Sequence, residues 1–174
     1  MATQGISASR GLNPLGWMFA PMLLCAAATL VLLAPIRVFG LALPQPVFPL
    51  TLAFAWPLIR PSLGPPFALL AMGLFLDYAW GGPWGLWPLG LIAAYASVLA
   101  VRRLIAGNDY AFVWAWYAAA SAVGFLIAYL AAAMSAGAAP NLLALGWQYL
   151  WTAALFPFAH RLIRRYEDAD VRFR

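Results

Sequence analysis

The chain has 174 residues, of which 66% are hydrophobic and 9% are charged. So few polar side chains cannot cover a water-soluble globule of this size, which excludes a soluble enzyme or binding domain and indicates an integral membrane protein. The formal net charge is +5, and all ten basic residues are Arg. They fall into a few clusters, a pattern that favours membrane orientation and lipid contact over nucleic-acid binding.

The first 36 residues contain one predicted span. Residues 1–16 are small and polar with Arg10 as their only charge, and we expect a short cytoplasmic tail. Residues 17–36 are apolar over the length of a spanning helix and further apolar segments follow, so we predict an uncleaved first span rather than a signal peptide. The lone cysteine, Cys25, supports neither a disulfide framework nor a thiolate metal site, and we interpret it as a small core residue.

The second predicted span is irregular. Residues 38–59 are uncharged, but they contain Pro44, Pro46, Pro49 and Pro57. Because proline removes a backbone donor and bends a helix, we predict an extended segment up to about residue 49 and a short helix over residues 49–59. Residues 60–66 are rich in helix breakers and predict a turn.

The third and fourth predicted spans form a hairpin. Residues 61–101 contain a single charge, Asp77, and are too many for one helix. Gly81, Gly82 and Pro83 divide them into a helix over residues 66–80 and another over residues 84–101. Arg102 and Arg103 follow the second helix.

The last two predicted spans occupy residues 110–159, which carry no formal charge. The small and turn-forming residues 135–141 separate a fifth helix over residues 111–134 from a sixth over residues 142–159, which passes through Pro157. A mixed-charge tail, residues 161–174, continues the sixth helix. The prediction is therefore an all-α polytopic membrane protein whose single transmembrane domain, residues 17–160, contains six helices.

Small residues recur at every fourth position of the fifth helix: Ala120, Gly124, Ala128 and Ala132. Such a stripe lets a neighbouring helix backbone approach closely. It is a candidate surface either for packing inside the bundle or for a partner helix.

The distribution of Arg predicts the orientation. With six spans, nine of the ten Arg lie on the side of both termini, and Arg37 alone lies on the other. By the positive-inside rule both termini are cytoplasmic. The cytoplasmic Arg residues expected to contact anionic lipids or a cytoplasmic partner are Arg102, Arg103, Arg161, Arg164 and Arg165.

The inventory of reactive side chains is small. The one histidine, His160, precedes Arg161 at the expected membrane edge, where packing or headgroup contact is favoured over catalysis. No His, Asp, Glu or Cys residues show metal-ligand spacing, and no Gly-rich loop follows a strand. We therefore predict no catalytic residue, no metal site and no cofactor, and a membrane enzyme is the last of the functional alternatives.

Asp77 calls for a reason, because an ionised carboxylate in hydrocarbon is costly. It could hydrogen-bond to the amides and indoles of residues 81–87 and fix that turn, or it could contact a cationic substrate or couple transport to protons. The spans contain no second titratable group for a relay, which favours the structural role. The other intramembrane polar residues are expected to join helices: Tyr95, Ser97, Ser121, Tyr129, Gln148 and Thr152.

Several short motifs follow one another in a recognisable order. They are Pro49 at the start of the second span, Gly73-x-x-x-Asp77, the Gly81/Gly85-Leu86 turn, Ile92-Ala93-Ala94-Tyr95, and Leu155-Phe156-Pro157 before a basic tail. With the chain length and the six-span layout, this order over residues 49–165 resembles the bacterial rod shape-determining membrane protein family MreD. The resemblance marks Gly73, Asp77, Gly81, Gly82, Gly85 and Tyr95 as candidate structural or functional positions.

The resemblance implies a non-enzymatic inner-membrane subunit of the cell-elongation machinery, which builds peptidoglycan in rod-shaped bacteria. It implies MreC as the main partner, bound within or at the outer edge of the membrane, with MreB and the peptidoglycan glycosyltransferase/transpeptidase pair nearby. The fold would be similar to the membrane substrate-binding subunits of energy-coupling-factor transporters. The alternative is a small-solute binding or transport subunit with Asp77 at the substrate or proton site.

Overall fold

A computed structural model of the protein describes residues 14–33, 37–38, 41–42, 45–105, 107–136 and 141–171. These residues form seven helices and one short antiparallel ribbon, in which Arg37 pairs with Ala42 and Val38 with Leu41. In chain order the elements are α1 (Pro14–Leu33), β1 (Arg37–Val38), β2 (Leu41–Ala42), α2 (Pro49–Ile59), α3 (Gly64–Trp80), α4 (Leu86–Ile105), α5 (Tyr110–Ala136), α6 (Leu142–Ala153) and α7 (Phe156–Val171).

Three of the helical segments are long and apolar enough to cross a bilayer: Leu86–Ile105, Tyr110–Ser135 and Leu142–Arg165, the last made of α6 and most of α7. Trp17–Leu33 and Pro49–Ile59 are shorter apolar helices. Large apolar side chains such as Leu23, Leu126 and Met134 are exposed, as expected of a surface that faces lipid. The chain is thus a helical membrane protein.

Most predicted helices are present, with shifted ends. The predicted short helix over residues 49–59 is confirmed as α2, and the other predicted helices correspond to α1, α3, α4, α5 and the pair α6 and α7. The tail predicted for residues 1–16 is too long, because α1 begins at Pro14, a residue that suits the first turn of a helix. Residues 1–13, residues 137–140 of the predicted break and residues 172–174 of the predicted tail lie outside the described residues.

The prediction of one continuous helix over residues 142–159 is wrong. The helix is interrupted at Ala154 and Leu155, where α6 ends and α7 begins. Pro157 explains the position of the interruption. In a continuous helix the N–H of residue 157 would donate a hydrogen bond to the Ala153 carbonyl, and proline has no N–H. At the break the carbonyl of Thr152 instead accepts hydrogen bonds from the Leu155 N–H, at 3.0 Å, and from the Tyr117 hydroxyl, at 2.8 Å.

Helix α2 lies in the centre of the bundle. All its residues from Pro49 to Pro57 are buried, and it packs against α1, α3, α4, α5 and α7. Eleven residues of α-helix extend only about 16 Å, roughly half the thickness of the hydrocarbon core. The irregular residues 45–47 precede it and lie against α6, whose side chains bond to the Val47 N–H and the Gln45 carbonyl.

Candidate functional site

The side chain of Asp77 closes the turn between α3 and α4. It lies in the last turn of α3 and is only 1% exposed. Its Oδ2 accepts a hydrogen bond from the Gly85 N–H at 2.7 Å, and its Oδ1 accepts one from the Trp87 N–H at 3.0 Å. The first N–H groups of a helix have no partner within that helix, and the helix dipole favours a negative charge there. Asp77 therefore caps the start of α4 from the neighbouring helix.

The two hydrogen bonds confirm the predicted contact between Asp77 and the amides of the turn, whereas the predicted contact with indole groups is absent among the described residues. The indole N–H of Trp80 is buried without a hydrogen-bond partner. Its ring instead packs edge-on against the Trp87 ring, with centroids 5.2 Å apart.

Glycines end α3 beside this carboxylate. Gly81 has φ 65°, a left-handed conformation that glycine adopts without strain, and Gly85 has φ 94°. The Gly82 N–H donates to the Asp77 carbonyl at 3.0 Å, and the Gly81 N–H to the Tyr78 carbonyl at 3.3 Å. This is the Schellman pattern of helix termination. Asp77 thus ends its own helix through its backbone and begins the next through its side chain.

A close backbone approach supports the same turn from within α3. A Cβ added to Gly73 would lie 2.4 Å from the Pro88 backbone nitrogen and 2.5 Å from its Cα. Only glycine fits there, because a contact this short would force the two backbones apart. We refer to Gly73, Asp77, Gly85, Trp87 and Pro88 as the α3–α4 corner.

Aromatic rings connect the corner to the rest of the bundle. The Trp87 ring meets Phe125 of α5 edge-on at 5.6 Å, and Phe125 meets Tyr149 of α6 at 5.8 Å. The Tyr149 hydroxyl then donates to the Ala118 carbonyl of α5 at 3.1 Å. Edge-to-face pairs of this kind favour one relative orientation of the helices.

The resemblance grouped Tyr95 with the corner residues, but the structure separates them. Tyr95 lies in the middle of α4, and its hydroxyl donates to the Ser62 carbonyl in the turn between α2 and α3, at 3.4 Å. The structure therefore brings together Gly73, Asp77 and Gly85, with Gly81 and Gly82 adjoining them, and places Tyr95 at the opposite end of the hairpin.

The small-residue stripe of α5 packs inside the bundle. Ala120, Gly124 and Ala128 are buried, and Ala132 is half-buried. A Cβ added to Gly124 would lie 3.0 Å from the Gly90 carbonyl oxygen and 3.4 Å from the Ala94 Cβ. Gly90 and Ala94 form the complementary small face of α4. Sequence reasoning missed that face, although the four-residue spacing of these two small residues is a readable signal.

A second polar cluster lies where α6 meets residues 45–47, the irregular segment before α2. The Val47 N–H donates to the Thr152 Oγ at 3.0 Å, and the Gln148 side chain donates to the Gln45 carbonyl at 2.9 Å. Gln45 in turn donates to the Leu32 carbonyl at the end of α1, at 2.8 Å. The expectation that Gln148 and Thr152 join separate segments is confirmed; Gln45 and Tyr117 were not predicted to take part.

Five Arg residues lie at the end of the bundle opposite the corner, which we call the Arg-rich end: Arg102, Arg103, Arg161, Arg164 and Arg165. Arg102 is half-buried at the end of α4, whereas Arg103, Arg161, Arg164 and Arg165 are exposed. His160 packs its ring 4.9 Å from that of Tyr110, which joins α7 to the start of α5. Within the described part of the chain, no three His, Cys, Asp or Glu side chains cluster closely enough to hold a metal ion.

Taken together, the α3–α4 corner is a closed structural joint, and the Arg-rich end is the accessible charged surface. No protein-family model, no curated protein and no solved structure matches this chain.

Proposed function

We propose that this protein is a non-enzymatic, MreD-like subunit of the bacterial cell-elongation machinery that binds MreC within or at the outer edge of the membrane. The order of motifs supports this proposal at the level of the sequence. The observation that carries it is the position of Asp77, the one acidic residue in the chain before Asp109. Its carboxylate is committed to two backbone N–H groups inside the α3–α4 corner.

This commitment weighs against the alternative of a solute or proton site. An intramembrane carboxylate that binds a cationic solute or carries a proton faces a water-filled cavity, with at least one oxygen free to contact the solute. Both Asp77 oxygens already accept hydrogen bonds, and the side chain is buried. The corner is thus suited to hold a rigid surface in place, as a scaffold requires.

The outer side of the same corner offers a surface for MreC. Tyr78 and Trp84, which both follow the buried Asp77 in the chain, are 75% and 72% exposed. Their backbone belongs to α3 and to the turn that the carboxylate fixes, so the positions of both residues are set before a partner binds. Rigid aromatic side chains of this kind are frequent anchors of protein interfaces. We propose them as the contact with MreC.

The proposed topology has six crossings, formed by α1, the extended segment with α2, α3, α4, α5, and α6 with α7. Both termini lie in the cytoplasm and the protein resides in the inner membrane. The layout is similar to that of the membrane subunits of energy-coupling-factor transporters. MreB and the peptidoglycan glycosyltransferase/transpeptidase pair are the further proposed partners in the complex.

The proposal is tested by co-purification with the MreC of the same bacterium in nanodiscs. We expect the native protein to retain MreC and the double variant Tyr78→Ala/Trp84→Ala to lose it. The matched control is Leu142→Ala/Leu143→Ala, which truncates two similarly exposed side chains at the start of α6. A native protein that fails to bind MreC would count against the scaffold function, and equal retention by both variants would exclude this surface.

The Asp77→Asn variant tests the alternative separately. It removes the charge and keeps one of the two acceptor oxygens, while the other is replaced by a donor NH2 group. Retained MreC binding and retained cell shape would show that the charge itself is not needed. Lost cell shape with MreC still bound would favour the transport function instead.

A further inference from the structure

Two grooves at the Arg-rich end share one pair of cations. A groove of about 530 Å³ between α5 and α7 is lined by Tyr110, Pro157, His160, Arg161, Arg164 and Arg165. A groove of about 300 Å³ between α1 and α7 is lined by Arg161 and Arg165 together with the apolar side chains of Ala20, Leu24, Phe158 and Leu162. Because Arg161 and Arg165 are four residues apart, they lie on one face of α7 and form the ridge between the grooves.

The two sides of this ridge differ in chemistry. The α5 side adds Arg164 and the ring of His160, whereas the α1 side is apolar. Among the residues whose side chains the structure describes, no Asp or Glu lines either groove. A guanidinium group binds phosphate oxygens through two parallel hydrogen bonds, and basic pockets between spanning helices suit phospholipid headgroups.

We propose that Arg161 and Arg165 bind the phosphate of one anionic phospholipid, with an acyl chain of that lipid lying in the α1–α7 groove. The adjoining apolar groove gives an acyl chain a place directly beside Arg161 and Arg165. The lipid would bridge α1 and α7, the first and last described helices. This binding is independent of MreC and of the proposed scaffold function.

The test measures thermal unfolding of the purified protein in detergent, with phosphatidylglycerol or phosphatidylcholine added. Phosphatidylglycerol should raise the midpoint for the native protein and for the charge-matched control Arg102→Gln/Arg103→Gln. The rise should be lost in Arg161→Gln/Arg165→Gln. An equal rise in both double variants, or no rise for the native protein, would overturn the proposal. If inorganic phosphate reproduced the rise, the site would be one for a free anion and not for a lipid.

A second variant tests the groove with both cations in place. Ala20→Trp fills the space between α1 and α7, so it should weaken phosphatidylglycerol binding and reduce the lipid retained in native mass spectra. Unchanged retention would contradict the assignment of the acyl chain. This variant also decides the question if the double Arg substitution prevents folding. Arg161→Lys/Arg165→Lys keeps the charge but loses the two-pronged geometry, and it should give a smaller midpoint rise than the native pair.

Discussion

At the scale of single residues, Asp77 shows how backbone N–H groups can satisfy a buried carboxylate in a membrane protein. Its carboxylate supplies acceptors to two N–H groups at the start of α4, and its backbone carbonyl accepts the Gly82 N–H that ends α3. A neutral aliphatic residue at this position would leave the buried Trp87 N–H and the partly buried Gly85 N–H without this acceptor. The cost of burying the charge is thus offset within the turn itself.

The Asp77→Ala variant should therefore be strongly destabilised. A buried N–H left without an acceptor costs about 1–3 kcal/mol, so loss of the Trp87 bond alone should lower the free energy of unfolding by that amount, and loss of the partly buried Gly85 bond should add to it. Asp77→Asn should lie between Ala and the native residue, because one acceptor oxygen remains. The measurement is denaturant-induced unfolding in detergent micelles.

The control for this substitution is Asp109→Ala. Asp109 is also an acid close to the start of a helix, but it is exposed. Its loss should change the free energy of unfolding far less than the loss of Asp77. Equal effects of the two alanine variants would show that the hydrogen bonds of the corner contribute little to stability.

Gly73→Ala and Gly146→Ala should have opposite effects on stability. At Gly73 the new Cβ would overlap the backbone of Pro88, and such overpacking typically costs about 1–3 kcal/mol. At Gly146, in α6, a new Cβ would meet nothing within 4 Å, so the higher helix propensity of alanine should add up to about 1 kcal/mol. The same unfolding experiment measures both. A Gly73→Ala variant more stable than the native protein would contradict the close contact between the Gly73 and Pro88 backbones.

At the scale of elements, the interrupted final span and the short α2 depend on each other. The Gln45 carbonyl and the Val47 N–H, in the irregular segment before α2, are hydrogen-bonded to Gln148 and Thr152 of α6. Backbone that is not helical is tolerated at membrane depth only where protein covers it. The break after Ala153 brings a carbonyl of α6 to Tyr117, so α5 also joins this cluster.

Thr152→Val should test this dependence. Valine has the shape of threonine but cannot accept the Val47 N–H, so the variant should lose about 1–3 kcal/mol of unfolding free energy. Thr29→Val is the matched control, because Thr29 is equally buried but its hydroxyl bonds only to the Cys25 carbonyl in its own helix. If both variants unfolded at the same denaturant concentration, the hydrogen bond between Val47 and Thr152 would contribute no more to stability than one within a single helix.

At the scale of the whole molecule, the corner and the Arg-rich end lie at opposite ends of the bundle. The short loops between α3 and α4 and between α4 and α5 force these three helices to alternate in direction. Residues 84 and 108 should therefore reach opposite sides of the membrane. In the topology proposed above, which follows the positive-inside rule, the Arg-rich end faces the cytoplasm.

Single-cysteine labelling tests this arrangement. In intact cells whose outer membrane is permeable to the reagent, a maleimide that cannot cross the inner membrane should label Trp84→Cys. It should label Asn108→Cys only after the inner membrane is opened. The native chain serves as the unlabelled control, because its one cysteine, Cys25, is 1% exposed. Labelling of both positions from the same side would refute the alternating helices.

The sequence predicts helix positions well where strong breakers occur. Gly81 and Gly82 end α3, and Pro49 begins α2, because backbone geometry at these residues is determined locally. Asp77 could also be predicted as a structural acid, since no other titratable group accompanies it in the spans. These features depend on residues that are close together in the chain.

The remaining features depend on contacts between distant residues. The stripe on α5 is visible in the sequence, but only the opposing Gly90 and Ala94 show that it packs inward. The Val47 N–H donates its hydrogen bond to Thr152, more than a hundred residues away, and no local sequence pattern predicts that contact. Pro157 marks the break after Ala153, but the Tyr117 hydroxyl that bonds to the carbonyl of Thr152 there comes from α5, 35 residues away.

The central position of α2 has a consequence for biogenesis. Four of the five helices that pack against it, α3, α4, α5 and α7, are synthesised after it, as is α6, which bonds to Val47 just before α2. During translation, α2 therefore lies in the membrane or the translocon before the helices that bury it have been made. A nascent chain that stops before α6 should be an early target for membrane proteases, and only synthesis of the last helices completes the burial of the second.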